Sequence, residues 1–197
     1  MNWFLMKSLL IIGVRFSIKQ QEKLPKNTSL IFVSNHQSMF DIPPIIWYFR
    51  KHHPKFVSKK ELGKGIPSIS YNLRNGGAAL IDRKDSRQSL TTLATFSKNI
   101  CKKNWSAIIF PEGTRSKNGK LKKFSPNGIK ILCKYNSDAF IVPLTINNSW
   151  KVFKHGKFPL GIGNPITITA HSPIKTSTMP FEELLEKVQT TIKNSVI

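Results

Sequence analysis

A succession of short apolar runs, each stopped by Gly, Pro or polar residues and followed by a helical period, limits this chain to few folds. Leu30–Val33, Lys55–Ser58, Ala78–Ile81, Trp105–Phe110, Phe140–Ile146 and Pro165–Thr169 have the length and the β-branched and aromatic content of strands. Helices are expected over Pro43–His53, Pro67–Asn72, Ser86–Lys103, residues 125–135 and Met179–Val196. The last has Pro180, Glu182 and Glu183 at its start and Leu184, Leu185, Val188 and Ile192 on one face. Strands alternating with helices predict an α/β fold, a single mostly parallel sheet flanked by helices. In open sheets of that kind, sites gather beyond the C-terminal ends of the strands.

The first strand leads into the most informative of those ends. Leu30–Val33 breaks into the polar turn Ser34-Asn35-His36-Gln37-Ser38, and Asp41 then precedes Ile42-Pro43-Pro44. Asp is a favoured N-cap and Pro suits a first helical turn, so a helix is expected near Ile42 with Asp41 at its mouth. Residues five apart do not share a helix face. His36 therefore belongs to the loop, where the chain can fold back on Asp41. A carboxylate on one imidazole nitrogen would fix the tautomer and leave the other as a general base. The plainer alternative is a turn histidine beside a helix cap.

Other strand ends carry cations. Lys59 and Lys60 follow Lys55–Ser58, and Asp82-Arg83 follows Ala78–Ile81. Lysines there could hold a phosphate or be no more than a solvated helix start. Trp105–Phe110 runs into Pro111-Glu112-Gly113-Thr114-Arg115-Ser116. Pro stops the strand, Gly allows a sharp turn, and Arg115 can grip a phosphate bidentately.

The chain of 197 residues is long enough for one domain with a real core, and 40% apolar content suits a globular fold. Its formal charge of +21, from 31 Lys+Arg against 10 Asp+Glu, favours anionic partners such as nucleic acid, anionic lipid or an acidic protein. Cys101 and Cys133 have no metal-ligand spacing and read as free core thiols in a reducing compartment. No uninterrupted apolar span of about 18 residues occurs, so no transmembrane helix is expected. No small-residue cleavage site follows the N-terminal apolar run, so no signal peptide is expected. Residues 3–18 are mostly apolar, with Lys7 and Arg15 inserted. They read as a helix lying in a membrane interface, with Trp3 and Phe4 buried, or as an ordinary helix on the core. Residues 19–29 read as a polar connector. The division expected is an N-terminal membrane-associating segment, 1–29, and a domain, 30–197.

Four blocks in order, SNHQSMFD at 34–41, GGAALIDRKD at 76–85, FPEGTRS at 110–116 and IVPLTI at 141–146, resemble the glycerolipid acyltransferase family, most closely its lysophosphatidic acid acyltransferases. FVSKKEL at 56–62 is a weaker fifth. The resemblance implies that His36, held by Asp41, deprotonates the sn-2 hydroxyl of 1-acyl-glycerol 3-phosphate. That oxygen attacks an acyl thioester of acyl carrier protein or coenzyme A, the carrier thiol leaves, and phosphatidic acid forms. Neither an acyl-enzyme, a cofactor nor a metal is implied. Arg83 and Arg115, with Lys59, are implied to bind the acceptor phosphate. Glu112, Gly113 and Thr114 match the acceptor-site turn, with Glu112 orienting Arg115 or a glycerol hydroxyl. Asn35 and Ser38 would shape the loop or the oxyanion environment. Partners implied are a lysophospholipid, the thioester donor and an anionic membrane surface at the cytoplasmic face, and no nucleic acid. The region before Leu30 is shorter than family members often carry, so attachment is expected to be peripheral. The loop KNGKLKKFSPNG has Ser-Pro where Lys or Arg-Gly is usual. Alternatives are an acyltransferase for glycerol 3-phosphate or another lysolipid, and a non-catalytic basic membrane- or nucleic-acid-binding module. No RNA-binding aromatic signature or helix-turn-helix pattern favours the latter.

Overall fold

The structure, a computed structural model, describes residues 2–64, 67–156 and 158–197. Eight strands form one sheet among the described residues, ordered β1-β7-β6-β2-β5-β3-β4, with β8 also on β6. They are β1 (Phe16–Gln20), β2 (Leu30–Ser34), β3 (Pro54–Lys59), β4 (Ala79–Ile81), β5 (Ser106–Ile109), β6 (Phe140–Asn147), β7 (Ile166–Ala170) and β8 (Ile174–Lys175). β6, β2, β5, β3 and β4 run parallel; β7 and β8 are antiparallel to β6, and β1 is parallel to β7.

β2 lies centrally because every residue of LIFVS is buried. Its side chains alternate between two cores. Leu30 and Phe32 face one cluster with Val142, Leu144, Ile45 and Phe49. Ile31 and Val33 face the other with Leu93, Phe96, Ile129, Leu132 and Val188. Helix α2 (Ile42–Tyr48) therefore covers one face, while α4 (Ser86–Lys102), α5 (Pro126–Lys134) and α6 (Phe181–Ser195) supply the other. The helix α1 (Asn2–Ser8) packs on α2, and α3 (Pro67–Asn75) precedes β4.

Two expected helices and one cysteine differ. The helix expected over 3–18 ends early. α1 passes into a 3-10 turn, Leu9–Ile12, and Gly13 closes it at φ 73°, its N–H donating to Leu10 and Leu9 carbonyls. Phe16–Gln20 is then a strand registered on Ile166–Ala170. The helix expected over Pro43–His53 stops at Tyr48 and tightens to a 3-10 turn, Arg50–His52. Pro54 disfavours a helical conformation in the residue before it, and His53 is left-handed at φ 47°. Cys101, expected in the core, is exposed on α4, and Cys133 is partly buried. No helix of the described residues is long and apolar enough to cross a membrane.

The parallel strands place the 34–41 loop, Lys59, Arg83 and the 110–116 turn at one end of the sheet. Because β7 and β1 run the other way, the segments that precede them, residues 158–165 and the N-terminal helical turns, lie at that same end.

Candidate active site

The loop after β2 is held by side chains that fold back on its own backbone. Ser38 accepts from Phe40 N at 3.0 Å. Asp41 Oδ2 accepts from Ser38 N at 2.9 Å and Gln37 N at 2.7 Å, forming a capping box with Ser38. The N-cap expected at Asp41 is thus displaced. Ser38 caps a 3-10 turn, Met39–Asp41, which leads into α2, and Asp41 makes no side-chain cap to α2. The same Oδ2 lies 2.8 Å from His36 Nδ1. Asp41 is fully buried, whereas 16% of the His36 side chain remains accessible. No hydrogen bond to His36 Nε2 occurs among the described residues. The imidazole stacks on Phe110, with ring centroids 4.1 Å apart and planes 16° from parallel.

The His36 backbone is clamped from the neighbouring strand end. Its N–H donates to Glu112 Oε1 at 2.9 Å, and its carbonyl accepts from Ser116 N at 2.7 Å. Glu112 Oε2 accepts from Lys122 N at 3.1 Å. The Glu112 carboxylate, expected beside Arg115 or a glycerol hydroxyl, thus accepts from two backbone amides, and no Glu112–Arg115 ion pair occurs among the described residues. Burial pushes its pKa up, and the amides of His36 and Lys122 oppose that.

On the other side, Gln37 Oε1 accepts from Ser149 N at 3.0 Å and Trp150 N at 3.4 Å. Asn35 pairs with both backbone groups of Ile146, at 2.8 and 2.7 Å. Asn35 and Ser38 therefore shape the loop through bonds to its own surroundings. The sequence reading assigns no role to Gln37, Phe110, Ser116 or Lys122. The first three lie inside the SNHQSMFD and FPEGTRS blocks and Lys122 inside the basic loop 117–123, but nothing local shows what each would contact.

The cations line the adjoining surface. Gly113 turns at φ 70°, and a Cβ there would lie 3.8 Å from an Arg83 guanidinium nitrogen. Partial burial lowers the Arg83 pKa and nearby Glu61 raises it, but a guanidinium shifted in this way stays charged. Lys59 and Ile81 are register partners on β3 and β4, which puts Lys59 beside the strand end that leads to Arg83. Lys122 Nζ donates to Thr114 Oγ1 and the Arg115 carbonyl, both at 2.9 Å. The Arg115 side chain is exposed. The arrangement joins an imidazole oriented through Nδ1 to a surface that carries cationic side chains. Among the described residues no group of three or more His, Cys, Asp or Glu could hold a metal ion.

A family model described as Acyltransferase matches residues 15–147. Among similar curated proteins, a 1-acyl-sn-glycerol-3-phosphate acyltransferase of Helicobacter pylori is 33% identical over 81% of this chain and 66% of its own length. One of Cocos nucifera is 30% identical over 95% of this chain and 56% of its own. This chain therefore spans between about half and two thirds of the length of these relatives. The crystal structure of the 1-acyl-sn-glycerophosphate acyltransferase PlsC of Thermotoga maritima superposes with a TM-score of 0.72 at 25% identity, covering 98% of this chain and 78% of that one.

Proposed function

We propose that this chain, which belongs to the acyltransferase family, transfers an acyl group from a carrier thioester to the sn-2 hydroxyl of 1-acyl-glycerol 3-phosphate. The observation that carries this reading is the 2.8 Å contact of His36 Nδ1 with a buried Asp41 oxygen already anchored by two backbone amides. An Nδ1–H donated to Asp41 leaves the Nε2 lone pair to accept the hydroxyl proton. As the O–H bond breaks, the oxygen bonds to the thioester carbonyl carbon. Collapse of that adduct breaks the C–S bond, and His36 returns its proton to the departing sulfur. The balance is one ester and one thiol from one hydroxyl and one thioester. Arg83 and Arg115, with Lys59, would attract the acceptor phosphate. The donor is the acyl thioester of acyl carrier protein or of coenzyme A, both anionic and both suited to a chain of +21. The exposed Trp3 and Phe4 of α1 suit peripheral attachment at the cytoplasmic face of an anionic membrane.

Thiol release from both donors, with and without 1-acyl-glycerol 3-phosphate, tests the reading. Acceptor-dependent release should fall by about 10²–10⁴-fold in His36→Ala. Release without acceptor dependence would indicate a thioesterase. Faster release with glycerol 3-phosphate or another lysolipid would reassign the acceptor. No release from folded protein on vesicles with any acceptor would favour a non-catalytic basic module.

A further inference from the structure

We propose that the loop from Phe158 to Gly163 is a second membrane-inserting prong, beside the N-terminal helical turns, for a bilayer containing anionic lipid. Ile11 and Phe158 are each 87% exposed and Ile162 is 77% exposed, while most other large apolar side chains are much less so. These three are not scattered. Gly163 N donates to the Ile12 carbonyl at 2.8 Å, so Ile162 and Ile11 each neighbour one partner of a single hydrogen bond between the two segments. Gly13 and Gly163 meet so closely that a Cβ on Gly13 would stand 3.2 Å from the Gly163 Cα. The loop is tied down at its base, because Gly161 N donates to the Val152 carbonyl at 2.9 Å and Leu160 packs on the core. Phe158 and Ile162 are thus presented outward by an anchored loop, and neither belongs to a core cluster of the described residues.

The occupant follows from what surrounds them. Exposed Lys7, Arg15 and Lys154 flank the two segments, and the basic loop 117–123 lies at the same end of the sheet. Apolar side chains inside a cationic border match an anionic headgroup layer over acyl chains. That end of the sheet also carries His36. A bilayer seated there would face the loop after β2, with two prongs setting orientation where one would leave a hinge. The inference rests on the membrane-facing part of the proposed function and not on its acyl-transfer chemistry.

The full-length chain is mixed with vesicles of phosphatidylcholine containing about one third phosphatidylglycerol, and its partition coefficient is measured by co-sedimentation. Phe158→Ser with Ile162→Ser should lower partitioning about ten-fold or more, whereas Phe158→Leu with Ile162→Leu should stay within about two-fold of the wild type. Unchanged partitioning of the folded serine variant overturns the proposal. So does a lipid-free dimer that the serine variant loses while its vesicle binding persists, which would make the patch a self-association surface. Phe158→Trp gives a reading that does not depend on the serine variant folding. Its added fluorescence should be quenched by lipids brominated on the acyl chain, and absence of that quenching overturns the proposal. Vesicle binding needs no turnover, so a chain that binds but releases no thiol would defeat the transferase reading alone.

Discussion

Asp41 does two jobs with one oxygen. Oδ2 closes the turn through Gln37 N and Ser38 N and orients His36 through Nδ1. Asp41→Asn keeps the size but can turn an amide N–H toward those donors, so thiol release should fall by about 10²-fold or more, with loss of thermal stability beyond that of His36→Ala. Glu112 offers a sharper distinction. As a brace on His36 N, its replacement in Glu112→Gln should lower kcat by about ten-fold with little change in acceptor KM. A ligand of the acceptor would instead raise KM with kcat nearly kept. Steady-state kinetics with varied acceptor separate the two.

Among the elements, the residue that follows β7, beside the first half of β6, is a buried titratable group outside the site. His171 donates its backbone N–H to the Pro143 carbonyl at 3.0 Å, and its Nε2 lies 2.8 Å from Thr145 Oγ1. Burial lowers its pKa below the usual 6.5. The unfolded chain then binds the proton first as pH falls. The stability contributed by this group is complete above 6.5 and is lost as pH drops from 6.5 toward the lower folded value. The stability gap between the wild type and His171→Gln should narrow over that range, measured by denaturant unfolding against pH. A gap that widens in acid would mean His171 is charged when folded. The edge strand β1 shows a signal that was present but outweighed. Phe16 and Ile18 are partly buried, alternating with exposed Ser17 and Lys19, a period of two. The mostly apolar run before it, with only Lys7 and Ser8 inserted ahead of Gly13, favours one continuous helix instead.

For the molecule as a whole, charge and apolar exposure share one end of the sheet, so membrane binding should have two separable parts. Raising salt from about 0.1 M to 1 M shortens the screening length from about 10 Å to 3 Å and should remove the lysine contribution. The remainder, owed to Phe4, Ile11, Phe158 and Ile162, should persist at high salt and on vesicles of phosphatidylcholine alone. Co-sedimentation against salt reads both parts. Complete loss at high salt would leave the exposed apolar side chains without a membrane role.

Local patterns in the sequence determine much of this protein. Continuous apolar runs can be satisfied only by burial on both faces, so β2, β5 and β6 were legible, as were the amphipathic α4 and α6. The five-residue spacing placed His36 in a loop with Asp41 in reach, and strand order placed Lys59, Arg83 and Arg115 at strand ends. Tertiary structure alone decided which backbone groups needed partners. Glu112 could not be seen as the acceptor for His36 N, nor Gln37 as the acceptor for Ser149 N, because those bonds span 76 and 112 positions and depend on which strands become neighbours. The pairing of the N-terminal turns with the loop at Phe158–Gly163 has the same origin. Short-range sequence encodes propensity and periodicity, whereas long-range hydrogen bonds arise only when the sheet is assembled and each buried polar group must find what lies beside it.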